Sequence, residues 1–119
     1  MWYLTQISIS NFLSQVIVKY DIIFSPEAQE DIETLRASDR AKVLDAIEIH
    51  LRYEPEKLSK SRIKRLKAIA QPQYRLRVDD LRVFYDVIYT VDTGTVEILA
   101  VKEKAEAIKW LAEYGRPEL

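Results

Sequence analysis

The sequence predicts an α+β domain: an antiparallel β-sheet of about four strands, an N-terminal helix pair packed on it and a C-terminal helix, in the order β-α-α-β-β-β-α. Three observations predict it. Apolar residues recur at helical spacing through residues 26–51 and again through 105–112. Between these blocks lie runs rich in β-branched and aromatic residues that alternate with polar ones. The turn signals between those runs are short, which suits hairpins in an antiparallel meander with the helices covering one face.

The first strand spans Val16 to Phe24. Ser25-Pro26-Glu27 then opens a helix, with serine as N-cap, proline at the first helical position and a carboxylate facing the positive end of the helix dipole. Ala28, Ile32 and Leu35 give that helix its buried stripe. Ser38-Asp39 breaks it and caps a second helix, whose stripe is Val43, Leu44, Ile47 and Leu51 and which Pro55 ends. His50 adjoins Leu51 at the edge of that stripe and reads as a structural boundary residue. Residues 57–67 form a basic loop. Gln71 to Val78 and Leu81 to Val91 are the next strands, then a turn at Asp92-Thr93-Gly94 and a strand from Thr95 to Val101. Ala105, Ile108, Leu111 and Ala112 outline the last helix, closed by Gly115 and Pro117.

At 119 residues the chain suits one domain, taken as residues 18–119 behind an extension of residues 1–17. The first charged side chain is Lys19. Thr5, Gln6, Ser8, Ser10, Asn11, Ser14 and Gln15 interrupt the apolar residues before it, which argues against a signal peptide and a membrane span. Ile9, Phe12, Leu13 and Val16 follow the spacing of a short amphipathic helix; the alternative is a poorly ordered extension. The chain has no cysteine, which excludes disulfides and thiolate metal sites and suits a reducing cytoplasm. Its single histidine excludes a histidine-cluster zinc site, so no metal and no cofactor is expected.

Net charge is −1, yet charge is unevenly placed. Lys57, Lys60, Arg62, Lys64, Arg65, Lys67, Arg75, Arg77 and Arg82 face only Asp79 and Asp80 within residues 57–82, a local +7; the remainder then carries −8. A polyanion senses the local field more than the sum. The competing reading is an ordinary solvated face.

"YRLRVDDLRVFY" concentrates the question. A two-residue turn at Asp79-Asp80 needs positive φ, which aspartate tolerates. Val78 then pairs with Leu81, Arg77 with Arg82, Leu76 with Val83 and Arg75 with Phe84. Alternation sends Tyr74, Leu76, Val78, Leu81, Val83 and Tyr85 to the core and Arg75, Arg77 and Arg82 to the other face. Like charges opposed on a sheet cost up to roughly 1 kcal/mol. Guanidinium forks suit phosphate or carboxylate, so the hairpin reads as an anion platform. The bland alternative is a solvated face balanced by Asp86 and nearby glutamates.

"YRLRVDDLRVFYDV" resembles the RelE/ParE superfamily of type II toxin–antitoxin toxins, and "IIFSPEAQEDIETL", "RIKRLKA" and "VEILAVKEK" extend the likeness from residue 18 to about 112. The resemblance implies a cytoplasmic toxin that pairs with a cognate antitoxin, as an oligomer with it. Its target is either mRNA on the ribosome, through endonuclease activity, or DNA gyrase, without catalysis. A third option is a domain that only binds its antitoxin. Under the nuclease reading the resemblance assigns Arg75, Arg77, Arg82 and Lys104 to catalysis, and Arg62, Lys64, Arg65, Lys67 and Trp110 to RNA binding. Asp79 replaces the glycine usual in the hairpin turn, and Trp110 stands where a tyrosine is usual.

RNA cleavage needs a base for the 2′-hydroxyl, cations for the phosphorane-like transition state and an acid for the leaving oxygen. Cations abound, and Lys104 could be the acid. Arginine does not deprotonate, and Tyr74 and Tyr85 face the core. Glu103 and Glu106, flanking Lys104, are the remaining candidates for the base.

Overall fold

The computed structural model describes residues 18–119. The expected extension, its amphipathic helix and the first residues of the expected Val16–Phe24 strand lie outside the described residues. The first strand, β1, is Asp21–Phe24. Ser25 caps the helix after it, α1 (Pro26–Thr34): its hydroxyl accepts from the Ala28 amide at 3.1 Å and donates to the Leu99 carbonyl at 2.9 Å. One side chain thus supplies a cap worth about 1 kcal/mol and ties the helix start to the sheet.

The break between the two helices comes earlier than Ser38-Asp39. Leu35 and Arg36 take extended backbone, and α2 runs Ala37–Leu51, so Ser38 and Asp39 lie in its first turn. The physical reason is Arg40. From α2 it reaches back to donate to the carbonyls of Ile32, Glu33 and Leu35 at 3.2, 3.2 and 3.0 Å. The last carbonyls of α1 find their partners there instead of in a C-terminal glycine.

The remaining elements are β2 (Ile63–Arg65), β3 (Ile69–Gln71), β4 (Tyr74–Val78), β5 (Leu81–Tyr89), β6 (Gly94–Glu103), α3 (Lys104–Tyr114) and β7 (Arg116–Pro117). The main sheet has five strands in the order β1-β6-β5-β4-β2. Its pairings are antiparallel except β1 with β6. The basic segment, expected to be all loop, contributes the edge strand β2. The expected Gln71–Val78 strand is split: Pro72, which has no N–H to donate, separates β3 from β4. β3 pairs instead with β7 in a small second sheet.

Val43, Ala46, Ile47 and Leu51 of α2, with Ala28 and Ile32 of α1, bury one sheet face against Leu76, Val78, Leu81, Val83, Tyr85 and Ile98. The Tyr85 hydroxyl, deep in this core, donates to the Pro55 carbonyl, and burial pushes its ionisation well above the ordinary range.

The expectation that helices cover one face fails at α3, which packs on the opposite face. Its buried residues are Ala107 and Trp110, set against Phe84 and Ala100; of the expected stripe only Leu111 packs against them, half-buried, while Ile108 is 80% exposed. Phe84 has the same strand parity as the arginines, so it needs apolar cover on that face. The Trp110 ring stacks on it at 5.0 Å between centroids, 19° from parallel. That aromatic pair sets the rotation of the helix. Among the described residues no helix is long and apolar enough to cross a membrane.

Candidate functional site

The β4–β5 turn contains Asp79 and Asp80, and Asp79 takes φ 52°, the left-handed conformation its residue type tolerates. The register is Val78↔Leu81, Arg77↔Arg82, Leu76↔Val83 and Arg75↔Phe84. Leu76, Val78, Leu81 and Val83 are buried in the core, so Arg75, Arg77 and Arg82 share the opposite face.

Neighbouring strands widen this surface. Lys64 of β2 lies beside Arg75, and the carbonyl of Arg62 accepts the Arg77 amide at 2.9 Å. Lys102 of β6 lies beside Arg82. Across the sheet this gives one row of Arg62, Arg77, Arg82 and Lys102, and a second of Lys64, Arg75, Phe84 and Ala100.

The three hairpin arginines differ in setting. Arg82 is only 8% exposed, and its Nη1 donates to the carbonyls of Asp79 and Leu81, both at 2.9 Å. It therefore sits against the turn. Arg75 is half-buried, and its Nε is buried with no hydrogen-bond partner among the described residues. Burial, then the charges of Arg82 and Arg77, hold its pKa below the usual arginine value. Arg77 is exposed. Among the described residues none of the three forms an ion pair.

Two carboxylates near the hairpin are engaged elsewhere. Asp79 reaches Lys42 on α2 at 3.4 Å. Asp86, buried on the arginine face, accepts from the Gln73 amide at 2.8 Å and from Gln71 Nε2 at 2.6 Å. It holds the β3–β4 connection, not a guanidinium.

The other sequence-predicted residues divide. Lys104 opens α3 beside the hairpin, where its amide donates to the Asp80 carbonyl at 2.6 Å; it is exposed and without an ion pair among the described residues. Arg62 and Lys64 join the basic rows, and Lys67 is exposed in the loop after β2. Arg65 is not brought to this face. It pairs with Tyr74, lies over that ring at 5.5 Å, and donates to the carbonyls of Leu66 and Gln73 at 3.0 and 2.8 Å. Trp110 is 9% exposed, stacked on Phe84, and its Nε1 donates to Glu27 at 2.9 Å, which leaves little ring face for a base. Tyr74 and Tyr85 stack on each other on the core side. Glu103 pairs with Leu81 and lines a cleft with Asp39 and Lys42, on the side away from the arginines.

One cluster escaped sequence reasoning. Lys102 Nζ bridges Glu27 at 2.9 Å and Asp31 at 3.0 Å, and Asp31 also accepts the Val101 amide at 2.9 Å. Burial works against the Lys102 charge, but the hydrogen bonds it donates to both carboxylates outweigh that and raise its pKa. The available signal was the i,i+4 spacing of Glu27 and Asp31, which puts both on one helix face. The cluster locks α1, β6 and α3 together and removes Lys102 from the free cations of the row.

The profile of the family described as ParE toxin of type II toxin-antitoxin system, parDE, matches residues 22–108. Among solved structures, the RelBE2 toxin–antitoxin complex from Mycobacterium tuberculosis is similar at 24% identity and TM-score 0.58, over 72% of this chain and 99% of that one. The archaeal RelE–RelB complex from Pyrococcus horikoshii OT3 is similar at 24% identity and TM-score 0.58, over 73% and 97%. The YoeB/ParE toxin from Agrobacterium tumefaciens is similar at 18% identity and TM-score 0.56, over 70% and 97%. At these identities the structures establish the likeness of fold. A search of curated proteins found no match.

Proposed function

The chain belongs to the ParE toxin family of type II toxin–antitoxin systems, and on that premise we propose that it is a ribosome-dependent mRNA endonuclease that halts translation in the cytoplasm. A cognate antitoxin holds it silent; two of the similar structures are toxin–antitoxin complexes, which supports that partner.

The observation that carries the nuclease reading is the hairpin face. Arg75, Arg77 and Arg82 lie together with no carboxylate paired to them among the described residues. A phosphodiester entering this face meets fixed donors before any charge develops, so little reorganisation is needed when the pentacovalent phosphorus forms. Arg82, backed by the turn carbonyls, is the most rigidly placed. Arg75 offers a buried Nε–H with no hydrogen-bond partner among the described residues, a donor suited to a phosphate oxygen. Lys104, at the turn, protonates the leaving 5′-oxygen. Glu103 lies on the other side of the sheet. Glu106, exposed in the first turn of α3, makes no hydrogen bond or ion pair with the guanidiniums among the described residues. Neither is therefore held in place to take the 2′-hydroxyl proton. Positioning and charge stabilisation therefore carry most of the catalysis, and the ribosome supplies the strand geometry that the toxin's own residues do not.

That missing base also favours a second reading, a non-catalytic inhibitor of DNA gyrase that uses the basic face as a docking surface. Cell-free translation of a defined mRNA separates the two. Cuts within the codon at the ribosomal A site, seen only when ribosomes are present, are the expected result. Intact mRNA together with blocked supercoiling by gyrase establishes the second reading instead.

A further inference from the structure

The basic face does not stop at the edge of the sheet. Beyond β2 lies a cleft of about 290 Å³, near the lower end of the range for small-ligand sites. Its walls include His50 on α2, Lys57, Ser59, Ser61 and Arg62. Glu54 lines it too, paired with Lys57 at 3.5 Å. Arg62 belongs to both surfaces: its backbone continues the row that holds Arg77 and Arg82, and its side chain lines the cleft.

The loop that forms this wall is built, not slack. The Ser59 hydroxyl accepts from the amides of Arg62 and Ile63 at 3.0 and 3.2 Å, and the Ser59 amide donates to the Ile63 carbonyl at 3.0 Å. This tight turn holds Lys60, Ser61 and Arg62 outward, all exposed. Lys60 and Arg62 have no ion pair among the described residues. Burial, then the Arg62 charge, hold the His50 pKa below the ordinary histidine value, which keeps the ring neutral near pH 7. A neutral imidazole offers a flat stacking face, one donor and one acceptor.

We propose that the cleft is a nucleotide subsite on the same RNA strand: the backbone leaves the hairpin arginines, turns over the β2 edge at Arg62, and seats one unpaired base beside His50. The proposal rests on the nuclease reading above and deepens it. The chemistry matches single-stranded RNA, whose bases stack on histidine and arginine planes while cations track the phosphates. A protein surface would not need this alternation of cations with one concave, partly apolar seat. The strand that enters the cleft lies outside the hairpin, so the subsite governs hold on a longer strand and not the chemistry itself.

The test measures binding of the full chain to 2′-O-methyl oligoribonucleotides, which cannot be cleaved, in two lengths: a trinucleotide that spans only the hairpin and a strand about three times as long. His50→Ala and Ser61→Asp are each expected to weaken the long strand about tenfold and to leave the trinucleotide unchanged. Equal binding of the long strand by wild type and both variants overturns the subsite, as does equal weakening at both lengths. Arg77→Ala, which acts at the hairpin, is expected to weaken both lengths. If wild type binds neither strand, the subsite falls, while the nuclease reading stands or falls on the ribosome cleavage assay. If the trinucleotide binds in an Arg77-dependent way while the long strand ignores His50 and Ser61, only the subsite falls.

Discussion

Arg77→Ala abolishes toxicity and lowers ribosome-dependent cleavage by about 100-fold or more, while the melting temperature stays the same or rises slightly. The magnitude is that of removing one preorganised donor from a site where transition-state charge develops. The stability half of the prediction comes from the surroundings of Arg77. It is exposed and forms no ion pair among the described residues, and its register partner is Arg82, another cation. Removing it takes away cross-strand repulsion, a small gain because water screens it. Arg82→Ala lacks this separation of effects. Its guanidinium also supports two turn carbonyls, so that variant loses activity and about 1–3 kcal/mol of stability together. Urea titration beside the cleavage assay distinguishes the two patterns. An Arg77→Ala protein as toxic as wild type removes the hairpin face from the mechanism.

Trp110→Ala destabilises the protein by about 3–5 kcal/mol, a large part of the stability of a domain this size. The ring fills the contact between α3 and the sheet, stacked on Phe84, and its Nε1 donates to Glu27. Truncation empties that contact and leaves Glu27 without one of its donors. Trp110→Phe keeps most of the stacking and loses the donor, so it costs about 1–2 kcal/mol. Cleavage by the folded fraction of Trp110→Phe stays near wild type. The opposite pattern, full stability of Trp110→Ala with lost RNA binding, would return the ring to base recognition. Denaturant titration with fluorescence or circular dichroism reads the first effect, and cleavage per folded molecule reads the second.

The parts legible in the sequence are those governed by neighbours along the chain. Two aspartates between alternating runs set the hairpin register, and that register alone places Arg75, Arg77 and Arg82 on one face. Ser25 and Pro26 announce the start of α1 because an N-cap is a local device. The parts that escaped depend on residues far apart in sequence. The end of α1 is decided by Arg40 reaching back from α2. The rotation of α3 is decided by Phe84 and Glu27, each from another element. β2 is three residues long, too short for alternation to stand out among lysines and arginines. The same limit explains the cations. Nothing local distinguishes Arg65, turned back over Tyr74, from Lys64 one position before it. Nor does anything local separate Lys102, held by Glu27 and Asp31, from Lys104, which has no ion pair among the described residues.

The fold gathers guanidinium groups with no carboxylate paired to them among the described residues, so that an incoming phosphate completes the site. The Nε–H of Arg75 reports on it directly, because that group is buried and has no hydrogen-bond partner among the described residues. Its proton–nitrogen NMR resonance can be followed while a 2′-O-methyl oligoribonucleotide is added. The expected free-protein signal shows no carboxylate partner, and it moves downfield and saturates as the RNA binds. A resonance that RNA leaves in place, or one already hydrogen-bonded to a carboxylate of its own chain, would contradict it.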